Sequence, residues 1–195
     1  MLAHPTHGAA EATLPQQAFW FLRHGETDWN AQNLSQGNVD VPLNEAGLSQ
    51  ARAAASLLTR RGIRSIVASP LSRARVTAEI VAETLGLPVT FEEGLREVSF
   101  GVQEGQPMAH WFDQWVTGHF TPENGESFTA LQYRAVGAIG RALRQEAPVL
   151  VVAHGALFRT LRAAMGHTAS VRTPNAIPML CTPGAPGAAW TLTPL

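Results

Sequence analysis

FWFLRHG (residues 19–25) and VLVVAHG (residues 149–155) decide the fold: each is an unbroken apolar run, FWFL or VLVVA, with a His-Gly pair directly after it or one arginine further on. A run without polar alternation is the pattern of a strand buried on both faces of a parallel sheet, with helices covering each side. SIVAS (Ser65 to Ser69) repeats the pattern, and PVTFEE (Pro88 to Glu93) is a weaker instance. Amphipathic helical segments separate these runs. One begins after Asn44, read as its N-cap, carries Leu48, Ala51, Ala55 and Leu58 on one face and ends at Gly62. A second carries Ala74, Ala78, Val81 and Leu85 and stops at Gly86. A third, from about Ser127, carries Phe128, Leu131, Ala135, Ile139 and Leu143, and a fourth follows Gly155 with Leu157, Leu161 and Met165. The alternation predicts an α/β fold: a three-layer α/β/α sandwich with a mainly parallel sheet and right-handed crossovers.

Outward from that core the rhythm fades. The segment from Val102 to Glu126 holds Trp111 and Trp115 four residues apart, with Phe112, His110 and His119. That spacing reads first as a helix face packed on the body, and second as a ligand wall or lid. Residues 173–195 are rich in Pro and Gly and predict two short edge strands, around MLC and AAWTL. Residues 1–16 are polar, Ala/Pro-rich and aperiodic, a flexible tail ahead of one domain over 17–195. His4 and His7 lie in that tail without a carboxylate or third ligand to complete a metal site.

Composition narrows the chemistry. All 14 cationic side chains are arginine. Walker-type NTPases, protein kinases and Schiff-base enzymes, which need a lysine amine, are therefore excluded. A net charge of −1 supplies no general field for nucleic acid or an anionic membrane, so neither is expected as a partner. The single cysteine, Cys181, forms no intramolecular disulfide and reads as small apolar filler. The N-terminus lacks the basic and apolar regions of a signal peptide and no window is long enough to span a membrane, so a soluble, cytoplasmic protein is expected.

In open α/β sheets ligands bind beyond the carboxyl ends of the strands. The residues there are Arg23, His24, Gly25, Glu26 and Thr27 after the first run, Ser69 to Arg73 after the second, Glu97 beyond the third, and His154 and Gly155 after the last. Two guanidiniums grip phosphate oxygens, a neutral imidazole attacks phosphorus, and a carboxylic acid protonates a leaving alcohol. The set suits phosphoryl transfer without a metal or other cofactor. Glycines after His24 and His154 allow close backbone approach, and helices starting there would offer amides to an anion. Singly, each group also fits a satisfied structural histidine, a surface arginine or a solvated carboxylate. Their convergence from four strand ends is what favours a site.

The same residues carry a resemblance. FLRHGETDWN, QGNVDVPLNEAGLSQA, SPLSRARVTAEI, LREVSFGVQEG, PENGES and VVAHGALFR, within a match over roughly Phe19 to Arg162, resemble the histidine phosphatase superfamily, whose founding branch is the cofactor-dependent phosphoglycerate mutases. The resemblance implies a phosphoglycerate mutase-like fold with His24 as the phosphorylated nucleophile, Arg23, Arg73 and His154 holding the phosphoryl group, and Glu97 as proton donor. Asn30 matches a phosphate-binding position. Gln36 and Gly37 fall in the loop that approaches substrate, and Glu26 and Thr27 shape the first turn. Two departures, Gln103 for a tryptophan and Asn124 for a glycine, fall in the substrate-facing insertion.

The implied activity is hydrolysis of a small phosphomonoester through a phosphohistidine. A mutase would return the phosphoryl group to substrate, and the mutases of the family carry basic residues in the insertion. Residues 102–127 hold neither arginine nor lysine, so a leaving group with less negative charge is expected. A catalytically idle binding module would lack one of the five site residues, and none is missing. A metallohydrolase would need ligand clusters such as HxH, absent around His24 and His154. Substrate identity and oligomeric state are not encoded in any motif.

Overall fold

The computed structural model describes residues 13–195. Six strands form one sheet: β1 (Phe19–Arg23), β2 (Ser65–Ala68), β3 (Val89–Phe91), β4 (Val149–Ala153), β5 (Met179–Thr182) and β6 (Thr191–Pro194), in the order β3-β2-β4-β1-β5-β6. The first four in that order are mutually parallel, while β5 runs antiparallel to β1 and β6 antiparallel to β5. β1 and β4 lie at the centre and are buried along their whole length, as their unbroken apolar runs require.

Side chains alternate across the sheet. Phe19 and Phe21 of β1 and Val149 and Val151 of β4 face one core with α5 (Phe128–Ala142) and α6 (Gly155–Ala164). Trp20, Leu22, Leu150 and Val152 face the other, against α2 (Glu45–Leu58) and α3 (Ser72–Leu85). The result is the expected α/β/α sandwich. A third cluster, of Val98, Phe100, Phe112, Trp115, Leu131 and Ala156, lies where α4 (His110–Val116) meets α5 and α6.

Helix limits follow local chemistry, beginning with the short α1 (Asp28–Ala31), which Thr27 caps by accepting from the Asn30 N–H at 3.1 Å. Asn44 caps α2, its side-chain oxygen accepting from the Gly47 N–H at 2.8 Å. Ser127 caps α5 through the Ala130 N–H at 3.1 Å. Gly86 ends α3 in the left-handed region, at φ 67°. The helix α2 ends at Leu58, short of Gly62, because residues 59–61 form a separate turn.

Three expectations change. The MLC strand is not an edge: β5 sits between β1 and β6, and only β6 and β3 are outermost. The second C-terminal strand starts at Thr191, later than AAWTL implied. Leu14, within the stretch expected to be tail, is buried in the α5/α6 core. His4 and His7 lie outside the described residues. No helix among the described residues is long and apolar enough to cross a membrane.

Candidate active site

The carboxyl ends of the parallel strands open into a cleft of about 340 Å³. It is lined by Arg23, His24, Asn30, Gln36, Gly37, Arg73 and Glu97, so seven of the eight residues singled out from sequence share one space. The eighth, His154, adjoins it: its ring centroid lies 5.3 Å from that of His24.

Strand pairing sets the positions. The His24 N–H continues the β1–β4 ladder to the Ala153 carbonyl at 3.0 Å, and the Ser69 N–H reaches Val152 O at 3.0 Å. Arg73 falls on the first turn of α3, four residues after Ser69. Glu97 is brought round by a short turn, Glu93–Leu95, which Arg134 clamps with bonds to the carbonyls of Gly94 and Arg96 at 2.9 and 2.8 Å.

The His24 ring has a defined tautomer. Its Nδ1 lies 2.7 Å from the Gly25 carbonyl. A carbonyl only accepts, so Nδ1 carries the proton and Nε2 keeps its lone pair. Burial, with the charges of Arg73 and Arg23, holds His24 well below the usual histidine range, which keeps the ring neutral and nucleophilic near pH 7. His154 is pushed down in the same way, first by burial and then by Arg73, His24 and Arg23. Its Nε2 is 2.7 Å from Ser69 Oγ while its Nδ1 is buried with no partner. Nδ1 is therefore the ring atom left for a ligand.

Both arginines are held by carbonyls with donors to spare. Arg23 donates to Thr173 O at 2.6 Å; Arg73 donates to Val39 O and Gly37 O at 2.8 and 2.7 Å. Burial lowers each to about 10, the nearby Glu97 carboxylate opposing the shift, and both stay charged at neutral pH. Arg23 Nε, Arg73 Nε and Gln36 Oε1 are buried without a hydrogen-bond partner. Buried polar atoms are rarely left so, and their concentration here marks a place for a polar ligand. Asn30 is oriented by its oxygen, which accepts from Thr27 N and Asn175 Nδ2 at 3.3 and 3.2 Å, leaving its amide donors for the cleft.

The glycines and helix ends serve differently from expectation. A side chain at Gly25 would strike the backbone of Gly47, and one at Gly155 would lie 3.1 Å from Arg23 Nε. The close approach is therefore between parts of the protein. The amides at the start of α6 are also taken: Ala156 N–H and Leu157 N–H donate to the two Glu97 oxygens at 2.9 and 2.8 Å. They fix the carboxylate instead of meeting an anion.

In the segment 102–127 the wall is made by Met108, Ala109, Phe112 and Asp113. Trp115 is fully buried in the third cluster, as its spacing first suggested. Asn124 adopts φ 58°, the left-handed region where asparagine replaces glycine most readily. Gln103 does not line the cleft.

Sequence reasoning missed Arg159, Arg172 and the positioning residues Arg134 and Asn175. Arg159 was findable: it stands four residues, about one turn, beyond Gly155 on the same helix face. Arg172 and Asn175 lie between α6 and β5, where no periodicity points to them.

A family model for the histidine phosphatase superfamily, branch 1, matches residues 19–179. The chain belongs to the histidine phosphatase superfamily. Among its relatives in that superfamily is the Bacillus subtilis (strain 168) protein named "Uncharacterized phosphatase PhoE", 37% identical over 147 residues, covering 74% of this chain and 75% of that one. "Probable phosphoglycerate mutase GpmB" of Yersinia pestis (strain Pestoides F) is 37% identical over 164 residues, 76% of each chain. Among solved structures, "Mycobacterial hydrolase 1" superposes with TM-score 0.79 at 30% identity, covering 90% of this chain and 96% of that one. A mycobacterial glucosyl-3-phosphoglycerate phosphatase in complex with VO3 gives TM-score 0.78 at 29% identity, covering 91% and 96%. These likenesses place the chain among phosphatases and mutases, and the fold among histidine phosphatase structures.

Proposed function

We propose that the protein is a metal-independent phosphomonoesterase that acts through a phosphohistidine on a small phosphorylated metabolite. The observation that carries this reading is the tautomer of His24: Nδ1 is committed to the Gly25 carbonyl, so a neutral Nε2 lone pair is available in a cleft that two guanidiniums also line. His24 Nε2 attacks phosphorus in line, and the bond to the leaving oxygen breaks as Glu97 gives that oxygen a proton. Arg23, Arg73, His154 and the Asn30 amide stabilise the charge on the remaining oxygens. Glu97, now ionised, takes a proton from water as the water attacks phosphorus; phosphate leaves, and His24 and Glu97 return to their starting states.

The test is phosphate release from a panel of small phosphomonoesters in excess chelator, with capture of acid-labile, base-stable phosphoprotein. The wild type should turn over and His24→Ala should fall to background with no phosphoprotein. Near-normal turnover by His24→Ala would mean that another group is the nucleophile. The mutase reading, favoured by the likeness to GpmB, is separated by adding 3-phosphoglycerate with a bisphosphoglycerate primer: isomerisation outrunning phosphate release would replace hydrolysis as the conclusion.

A further inference from the structure

Four guanidiniums line the cleft, and the phosphoryl clamp accounts for two. The others, Arg159 from α6 and Arg172 from the segment between α6 and β5, face the same space: the charge of Arg172 acts on both Arg23 and Arg159, and that of Glu97 on Arg23, Arg73 and Arg159. Only two carboxylates, Glu97 and Asp113, oppose them in the lining. Among the described residues neither Arg159 nor Arg172 has a carboxylate within 4.0 Å.

Arg159 is partly buried and held in place. Its guanidinium carbon sits 5.1 Å from the centre of the Phe112 ring, and one arm donates to Ala169 O at 2.8 Å. Among the described residues its other donors have no hydrogen-bond partner. Arg172 is exposed. Glu97 and Asp113 act on Arg159 only from beyond ion-pair distance, and keeping a partly buried cation without a paired carboxylate costs free energy that a neutral side chain of similar size would avoid. The cost is offset when an anion arrives. Met108 and Phe112 provide apolar surface in the same cleft, suited to the carbon skeleton of a substrate. At about 340 Å³ the space exceeds a phosphoryl group several-fold, taking ~30 Å³ as the share of one water.

The geometry points to a second anionic subsite, in which Arg159 and Arg172 grip a carboxylate or second phosphate on the leaving-group side while Arg23 and Arg73 hold the phosphoryl group. This rests on the phosphomonoesterase reading and reverses the expectation, drawn from the cation-free stretch 102–127, of a leaving group with little charge. The cations come from α6 and the segment after it.

Three substrates on one carbon skeleton test it: propyl phosphate, the O-phosphate of 3-hydroxypropanoate, and propane-1,3-diol bisphosphate. The wild type should favour at least one dianionic-plus-anionic substrate over propyl phosphate by about tenfold in kcat/KM, the scale of one charge-assisted hydrogen bond. Preference for the carboxylate or for the bisphosphate identifies the anion, and either supports the subsite. In Arg172→Gln and Arg159→Gln the preference should shrink, through KM more than kcat, and in Arg172→Glu it should vanish. Arg172 is exposed, so its variants keep the test decisive if Arg159→Gln fails to fold. Equal use of all three by the wild type, or a preference the Arg172 variants leave intact, overturns the subsite alone. If no substrate releases phosphate and no phosphohistidine forms, the phosphomonoesterase reading falls and takes the subsite with it.

Discussion

Glu97 shows how much a single residue can be asked to do. Oε1 accepts from Leu157 N and Val98 N at 2.8 and 3.1 Å, and Oε2 accepts from Ala156 N at 2.9 Å. The carboxyl group is thereby fixed at the edge of the cleft by backbone that cannot swing away. As the proton donor of the proposed reaction, Glu97→Gln should lower kcat by about 10²- to 10⁴-fold, the usual contribution of general acid catalysis. Binding of phosphate or vanadate should change far less. Loss of binding with kcat preserved would make Glu97 an anchor for α6 and not an acid. That Glu97 would stand with the strand-end residues was readable from its motif; that three backbone amides hold it was not, because two of them lie some sixty positions further along the chain.

At the scale of elements, the helices obey signals that operate within one turn. Asn44 accepts from Gly47 N, and its amide donates to Glu26 Oε1 at 3.0 Å, so it joins the start of α2 to the loop that carries His24. Asn44→Ala should cost about 1 kcal/mol of folding stability, the typical loss of an N-cap. Urea denaturation measures it, and a change within the ~0.5 kcal/mol scatter of ordinary surface substitutions would show that the cap carries no weight. Asn44, Ser127 and Gly86 were all legible because a cap is a local hydrogen bond or a single backbone conformation. The strand β5 was misplaced at the edge because pairing partners are chosen across the whole sheet: Cys181 sits opposite Phe19, and no local feature of MLC announces that neighbour.

The molecule as a whole keeps two histidines neutral in its interior, and its stability must reflect that. His24 and His154 lie well below the ordinary 6.5, burial being the largest cause in each. The unfolded chain therefore takes up these protons first as pH falls. The contribution of the pair is fully present above about pH 6.5 and declines below it, by up to about 1.4 kcal/mol per pH unit for each histidine. Urea midpoints should drop between pH 7.5 and 5.5, before carboxylates titrate, and the drop should lessen in His154→Gln. A flat profile would mean that the rings are not held neutral by the fold. By itself the sequence determined the α/β/α layers, the caps and the group of residues at the strand ends, because apolar period, turn chemistry and the rule that sites form at carboxyl strand ends act along the chain. Tertiary structure decided the tautomer of His24, the use of the α6 amides by Glu97, the burial of Leu14 and the arrival of Arg159 and Arg172 in the cleft. Each of those is a contact between groups far apart in sequence, fixed only when the layers pack and leave one space for charge to share.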